Sequence, residues 1–519
     1  MKRHFGYSGF RPLQSRVLAA VESGRDVLAV LPTGGGKSVC FQIPALLRER
    51  PTLVVSPLIS LMQDQVAAAC ARGLPAAALN SSMSATTQRE VLDQVSRGEV
   101  RILYTSPERL DRLARDLNAR SIRPALLAVD EAHCISDWGP DFRPAYRSLR
   151  RLRAALGWPQ ALALTGSATP AVRRDISRGL GLGGGGSRGS RLILGSFDRR
   201  NLWFGVARVT SEGERLRALI EAIRMSGGLA IAYAPTRNLV EELARVLGES
   251  GFSSAPYHAG LAPGVRRDVL GRFLAGEIGV VTATCAFGMG IDKPDVRTVV
   301  HWSLPATPEA YYQEAGRAGR DGRFARCLLL YRDGDADLPR RQLAVTFPDE
   351  GLAERVWRGE INPAAIPAGV RTSIERLRRE LAPDRRVVRW SAVRRRRREA
   401  LGRIEVMERY ARGDSCRRRA LLGYFGERIR RCSGCDRCGR LPPRPLPDQS
   451  AGRRLARLRI ALGSRGTPWG GCLLEPEVLR RLADHPPLTE TALAAVEGVG
   501  PILARRYSRT IMEALLPGP

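Results

Sequence analysis

Lysine is nearly missing from this 519-residue chain: it occurs only at Lys2, Lys37 and Lys293, and almost all positive charge is arginine. Such a bias reads as the base composition of the gene. Apolar runs long enough to span a bilayer are also missing, because arginine interrupts them throughout, and Met1-Lys2-Arg3-His4 is not followed by an apolar signal core. These absences exclude a spanning helix and lead to the expectation of a soluble, cytoplasmic protein. No internal repeat recurs at solenoid periods, which excludes a repeat architecture. A chain of this length exceeds what one core usually organises, so several domains are expected.

What is abundant is positive charge. Basic side chains exceed acidic ones by 31, and exchanging lysine for arginine leaves that surplus untouched. A polyanion is the implied partner, with nucleic acid the first candidate and salt-sensitive binding the consequence. The surplus is uneven. Residues 336–440 hold 27 basic against 14 acidic side chains, whereas residues 186–335 hold 20 against 16. Ten cysteines divide into six scattered ones and a group formed by Cys416, Cys432, Cys435 and Cys438. In a long intracellular chain such a group points to metal before disulfide.

The hydrophobic pattern indicates an α/β fold. Val27–Leu31, Thr52–Ser56, Arg101–Thr105, Leu126–Asp130 and Ala161–Thr165 read as buried strands separated by amphipathic stretches, the rhythm of a parallel sheet. Gly181–Ser190 has the composition of a flexible linker. A second set of strands follows at Leu229–Tyr233, Gly279–Thr284, Thr298–Trp302 and Cys327–Tyr331. Two α/β lobes joined by a hinge imply a cleft. Beyond about Asp337 the strand rhythm stops; Ser373–Leu381 and Ala400–Arg412 read as helices, and Leu441–Pro447 is a proline-rich linker. The expected domains are a first lobe over 1–183, a second over 191–336, an arginine-rich helical region with the cysteine group over 337–440, a linker over 441–451 and a small helical bundle over 452–516.

Three constellations carry chemistry. After the first strand, Thr33-Gly34-Gly35-Gly36-Lys37-Ser38 forms a glycine loop that can turn backbone N–H groups onto phosphates, with Lys37 for the β and γ phosphates and Ser38 for Mg²⁺. The strict pattern has glycine where Leu31 stands. At the end of another strand, Asp130 can position Mg²⁺ while Glu131 orients and deprotonates the attacking water. In the second lobe, Arg317 and Arg320 are three residues apart and are expected on one helical face, where a guanidinium can reach across the cleft to the transferring phosphate. ATP is therefore the expected substrate. The four cysteines, spaced x15, x2 and x2, supply the thiolates of a closed tetrahedral Zn²⁺ site with no open position for catalysis.

Several further segments, in order, resemble the helicase motifs of the RecQ family. Phe5-Gly-Tyr-Ser-Gly-Phe-Arg-Pro-Leu-Gln14 is similar to its adenine-reading motif and implies Arg11 and Gln14 as nucleotide contacts. Pro57–Gln65 and Thr105–Arg109 are similar to first-lobe DNA motifs, Leu164–Thr169 to the coupling motif, and Tyr257–Leu261 and Ala283–Lys293 to second-lobe motifs. Cys134–Tyr146 resembles the family's aromatic-rich loop, which senses single-stranded DNA. Trp138 and Phe142 offer faces on which bases can stack, and Arg143 adds a cation for phosphate. Here Asp137 and Pro140 stand where the family commonly has glutamine and histidine. The cysteine group is similar to the RecQ zinc-binding element, and residues from about Gly452 resemble a helicase-and-RNase-D C-terminal domain.

The resemblance implies two tandem RecA-like lobes in an ATP-dependent DNA helicase that moves 3′ to 5′ as a monomer on single-stranded, tailed or forked DNA, in recombination and repair at the nucleoid. An RNA helicase and an ATP-independent nucleic-acid scaffold are the alternatives. The aromatic loop and cysteine group favour DNA over RNA, and intact Lys37, Ser38, Asp130, Glu131, Arg317 and Arg320 favour an enzyme over a scaffold. Relatives carry a winged helix after the zinc element, but only about a dozen residues, many of them proline, follow Cys438 before the last helical domain. Arg385, Arg386, Arg389 and the Arg394–Arg398 block are expected to replace it in part as a DNA platform.

Overall fold

The computed structural model describes residues 2–6, 9–32, 34–57, 59–80, 82–136, 144–185, 187–288, 291–381, 390–438, 458, 462, 474, 476–487 and 489–515. They divide into two compact units, one of residues 1–273 with 278–440 and the other of residues 274–277 with 441–519. Among the described residues no helix is long and apolar enough to cross a membrane.

The larger unit contains two wholly parallel sheets. The first is built from β1 (Asp26–Val30), β2 (Thr52–Val55), β3 (Ala76–Leu79), β4 (Ile102–Thr105), β5 (Leu126–Val129), β6 (Gln160–Thr165) and β7 (Ser190–Leu194), in the order β3-β4-β2-β5-β6-β1-β7. The second comprises β8 (Leu202–Arg208), β9 (Leu229–Tyr233), β10 (Ser254–Tyr257), β11 (Val280–Ala283), β12 (Val296–His301) and β13 (Ala325–Tyr331), in the order β10-β11-β9-β12-β13-β8. Central strands such as β1, β2 and β5 are buried on both faces, which is why they read as continuous apolar runs.

Four strands escape that signature. β3 is Ala-Ala-Ala-Leu, with little β propensity. β10 contains Pro256, which is tolerated because β10 lies at a sheet edge and needs no donor on its outer side. β8 mixes Gly205 and Arg208 with apolar residues because it too is an edge strand. β7 lies beyond the expected boundary at residue 183, yet Ser190–Leu194 pairs in parallel with β1 of the first sheet.

A buried ion pair locks the first lobe. Arg153, on the helix Leu149–Ala155, donates to both carboxylate oxygens of Asp26 at 2.7 and 2.8 Å, and both side chains are fully buried. Arg153 also donates to the carbonyls of Pro159, Leu180 and Gly181, while Asp26 accepts from the N–H groups of Ala161 and Gly183. Each charge is thus saturated by hydrogen bonds, the condition for burying it.

After the second sheet the chain is helical. Ala368–Leu381 and Trp390–Arg412 form long helices, the latter starting ten residues before the expected Ala400 and taking in the arginine block. The block is not a uniform cationic face. Arg394 donates to both oxygens of Glu350 at 2.9 Å, and Arg396 is buried. Arg385, Arg386 and Arg389 lie outside the described residues. In the smaller unit, helices Pro476–Asp484, Glu490–Ala494 and Gly500–Leu515 surround a core that includes Val478, Leu482, Leu493 and Ile511.

Candidate nucleotide and zinc sites

The C-terminal ends of β1, β5 and β6 lie side by side in the sheet, and the functional side chains leave from them. This is the edge at which open parallel sheets bind ligands. Gly34 and Gly36 have φ of +78° and +71°, a left-handed conformation open to glycine, so the loop after β1 can curl tightly ahead of the helix Val39–Leu47. Lys37 donates to Glu131 Oε1 at 2.5 Å. Glu131 itself holds φ +45°, a strained setting for a non-glycine residue that aims its carboxylate into the cleft. The neighbouring Asp130 is buried and accepts from Gln65 Nε2 at 3.4 Å and from the Glu131 N–H at 2.9 Å.

Electrostatics tie these groups together. Burial works against the Lys37 ammonium, but the Glu131 and Asp130 carboxylates outweigh it and hold its pKa above the usual value. Burial likewise disfavours ionisation of Glu131, yet Lys37 and then His133 hold its carboxyl well below the ordinary range. Asp130 moves the other way: burial raises it, and Lys37 compensates only in part.

Both lobes line one cavity of about 220 Å³, bounded by Gly34, Lys37, Asp130 and Glu131 from the first and by Arg317 and Arg320 from the second. Ser38, Gly35 and Gly36 also line it. The two arginines are not on a helical face as expected. The helix Pro308–Ala315 stops at Gly316, and Gly319, with φ +54°, turns the chain back, so both arginines project from the turn that follows. They reach the cavity nonetheless. Arg320 is steadied by Asp292 at 2.7 Å.

Gln14 lies beside the loop rather than apart from it. Its amide donates to the carbonyls of Gly35 and Gly36 at 3.3 and 3.1 Å, its oxygen accepts from the Arg11 N–H, and the Arg11 guanidinium donates to the Gly34 carbonyl. Thr33 and the aromatic residues Trp138 and Phe142, with Arg143, lie outside the described residues. Both flanks of that aromatic segment are anchored: Ser136 Oγ donates to Asp175 at 2.7 Å, and Tyr146 OH meets the Asp130 carbonyl at 3.5 Å.

Gln313, Gln65, His133 and Asp292 also line the cavity, although none of them was singled out as a site residue from the sequence. Gln313 Nε2 donates to Ser167 Oγ at 2.8 Å, joining the second lobe to the segment after β6. The signal was available, because Gln313 stands four residues before Arg317 in the stretch Gln313-Glu-Ala-Gly-Arg-Ala-Gly-Arg320.

The four grouped cysteines converge. Their sulfur atoms all lie within 4.8 Å of one another, and Cys416 and Cys435 are 3.9 Å apart. Arms of about 2.3 Å in a tetrahedral zinc–thiolate site give edges of roughly 3.8 Å, so the set fits Zn²⁺. Burial opposes ionisation of Cys435, but backbone N–H groups, that of Arg417 first, outweigh it and hold the thiol below its ordinary value. Beside it, Asp436 accepts from the Val206 N–H of β8 and from Arg417 Nε. Glu427 accepts from Ser196 Oγ and the Phe197 N–H, at 2.5 and 2.6 Å, in the connection between the lobes. Arg173 of the first lobe donates to the Phe425 carbonyl at 2.7 Å. The zinc element therefore grips both lobes and the connection.

Comparison with known proteins agrees with this arrangement. The DEAD/DEAH box helicase family matches residues 11–176, the helicase conserved C-terminal domain residues 214–322, and the RecQ zinc-binding family residues 374–439. The chain is 36% identical to the probable ATP-dependent DNA helicase RecS of Bacillus subtilis, over 84% of this chain and 90% of that protein. It is 37% identical to the ATP-dependent DNA helicase RecQ of Pasteurella multocida, over 84% of this chain but only 61% of that protein's length. Among solved structures, the DUF1998 helicase MrfA bound to DNA and AMPPNP superposes with a TM-score of 0.54 at 18% identity, over 66% of this chain and 51% of that one, a likeness of fold.

Proposed function

The chain belongs to the RecQ family of ATP-dependent DNA helicases, and we propose that it couples ATP hydrolysis in the inter-lobe cavity to 3′-to-5′ movement along single-stranded DNA and unwinding of tailed or forked duplexes. The observation that carries this reading is the meeting of Lys37, Asp130 and Glu131 with Arg317 and Arg320 in one cavity drawn from both lobes. Hydrolysis at such a cavity depends on how the lobes are held, which is how a strand spanning both can control it.

In this reading Gln14 and Arg11 hold the base side of the nucleotide and the glycine loop with Thr33 holds its phosphates. Lys37 exchanges Glu131 for the terminal phosphate. Ser38 and Asp130 would hold Mg²⁺, which would supply positive charge to offset that of the phosphates. Glu131, released from Lys37, regains basicity and takes the proton of the attacking water. Arg317 and Arg320 stabilise the charge on the transferring phosphoryl, a contribution of roughly 10³- to 10⁵-fold where such arginines act. The contacts of Ser136 with Asp175 and of Tyr146 with the Asp130 carbonyl support a route from Trp138, Phe142 and Arg143 to the cavity. Cys416, Cys432, Cys435 and Cys438 hold structural zinc. The protein acts as a monomer on DNA in the cytoplasm, in recombination and repair.

The test is ATP turnover measured with no polymer, single-stranded DNA, duplex DNA and RNA in parallel. Low turnover alone and strong stimulation by single-stranded DNA are expected. Equal stimulation by RNA would overturn the DNA assignment, and no stimulation by any polymer would overturn the motor.

A further inference from the structure

Away from the nucleotide cavity, arginines from four helical segments face one open cavity of about 610 Å³. Arg147 comes from the short helix Pro144–Ser148, Arg150 from Leu149–Ala155, Arg174 and Arg178 from Pro170–Leu180, and Arg395 from the long helix Trp390–Arg412. All five are exposed. Among the described lining residues the one carboxylate, Asp175, is already engaged by Ser136 at 2.7 Å and by Arg178 at 3.5 Å. Arg395 also lies 3.6 Å from Glu399, four residues on in its own helix; five exposed guanidiniums gathered at one cavity still make it cationic, and bringing like charges together costs energy that a bound anion would offset.

We propose that this cavity is a second DNA site, which holds phosphodiester groups of the backbone without reading bases and is separate from the nucleotide cavity. The inference rests on the helicase reading above and adds a binding surface to it. The planar fork of a guanidinium matches phosphate oxygens, and five of them spread over an open surface suit a polymer that presents phosphates in series better than one compact anion. The cavity also joins the first lobe to the helical region through Arg395, the one member of the arginine block that lines it. Through Asp175 and Ser136 its wall continues into the residue just before the aromatic segment. Of the charge surplus of residues 336–440, Arg395 is the part that reaches this cavity.

The experiment measures affinity for a tailed duplex across a salt series for the wild type, Arg150→Ala/Arg174→Ala and Arg395→Glu, together with DNA-stimulated turnover at saturating DNA. These exposed side chains leave the core intact. Each lost phosphate contact should reduce the slope of log affinity against log salt by about 0.9, so the double variant should lose roughly 2 in slope while stimulated turnover at saturation is retained. Arg395→Glu, on the helix Trp390–Arg412, should move slope and affinity in the same direction. Unchanged slope and affinity in both variants would overturn the proposal while leaving the motor in place. So would protection of wild type but not the variants against thermal unfolding by millimolar inorganic phosphate with DNA slopes unchanged, which would mark a small-anion site. A wild type that neither binds DNA nor is stimulated by it would overturn the helicase reading itself.

Discussion

Replacing Glu131 by glutamine separates the two tasks assigned to it. Lys37 and Glu131 are 2.5 Å apart with side chains 19% and 16% exposed. A charge pair at 4 Å in an effective dielectric near 20 has a gross attraction of about 4 kcal/mol, of which desolvation and side-chain ordering leave on the order of 1 kcal/mol for a partly exposed pair. A terminal phosphate must take Lys37 away from this carboxylate. Neutralising Glu131 removes the competition, so ATP should bind roughly fivefold tighter, the equivalent of about 1 kcal/mol. Turnover should fall at the same time by about 10²- to 10⁴-fold, the usual contribution of a general base. The assay pairs equilibrium binding of a fluorescent ATP analogue with steady-state turnover on single-stranded DNA. The pair distinguishes loss of chemistry from loss of binding. Weaker ATP binding in Glu131→Gln, or turnover within tenfold of wild type, would refute the competition and the water-activating role respectively.

Cys435→Ser should lower the zinc content of freshly purified reduced protein from one per chain and reduce its thermal stability, since metal binding in such an element is folding free energy; a wild type without zinc would refute the assignment. Arg153→Met should destabilise by about 3–5 kcal/mol, because Asp26 is left charged and buried, and a double change of Asp26 and Arg153 to apolar residues should recover part of that loss. An unchanged urea midpoint in the single variant would contradict it. Gln313→Ala removes a hydrogen bond between the lobes worth about 1 kcal/mol, so DNA-stimulated turnover should drop roughly fivefold. Unchanged stimulation would remove Gln313 from the coupling between lobes.

The glycine loop, the acidic pair, the arginines of the second lobe and the cysteine set were legible in the chain, because each depends on residue types at short spacings, and the structure brings the first three to one cavity and the cysteines to one cluster. The sequence by itself also determined the central strands, whose burial on both faces forces continuous apolar runs. Tertiary structure alone decided the edge strands. β7 joins the first sheet because β1 offers it a free edge, not because Ser190–Leu194 is patterned as a strand. Likewise, Arg317 and Arg320 reach the cleft from a turn instead of a helix, since the helix stops at Gly316 and Gly319, with positive φ, then redirects the backbone in a way that spacing cannot reveal. The fate of the arginine block is the clearest case: five identical residues in a row become an ion-paired Arg394, a cavity-lining Arg395 and a buried Arg396. Helical geometry rotates each by about 100° from the last, and which neighbour each then meets is fixed only by what packs around the helix.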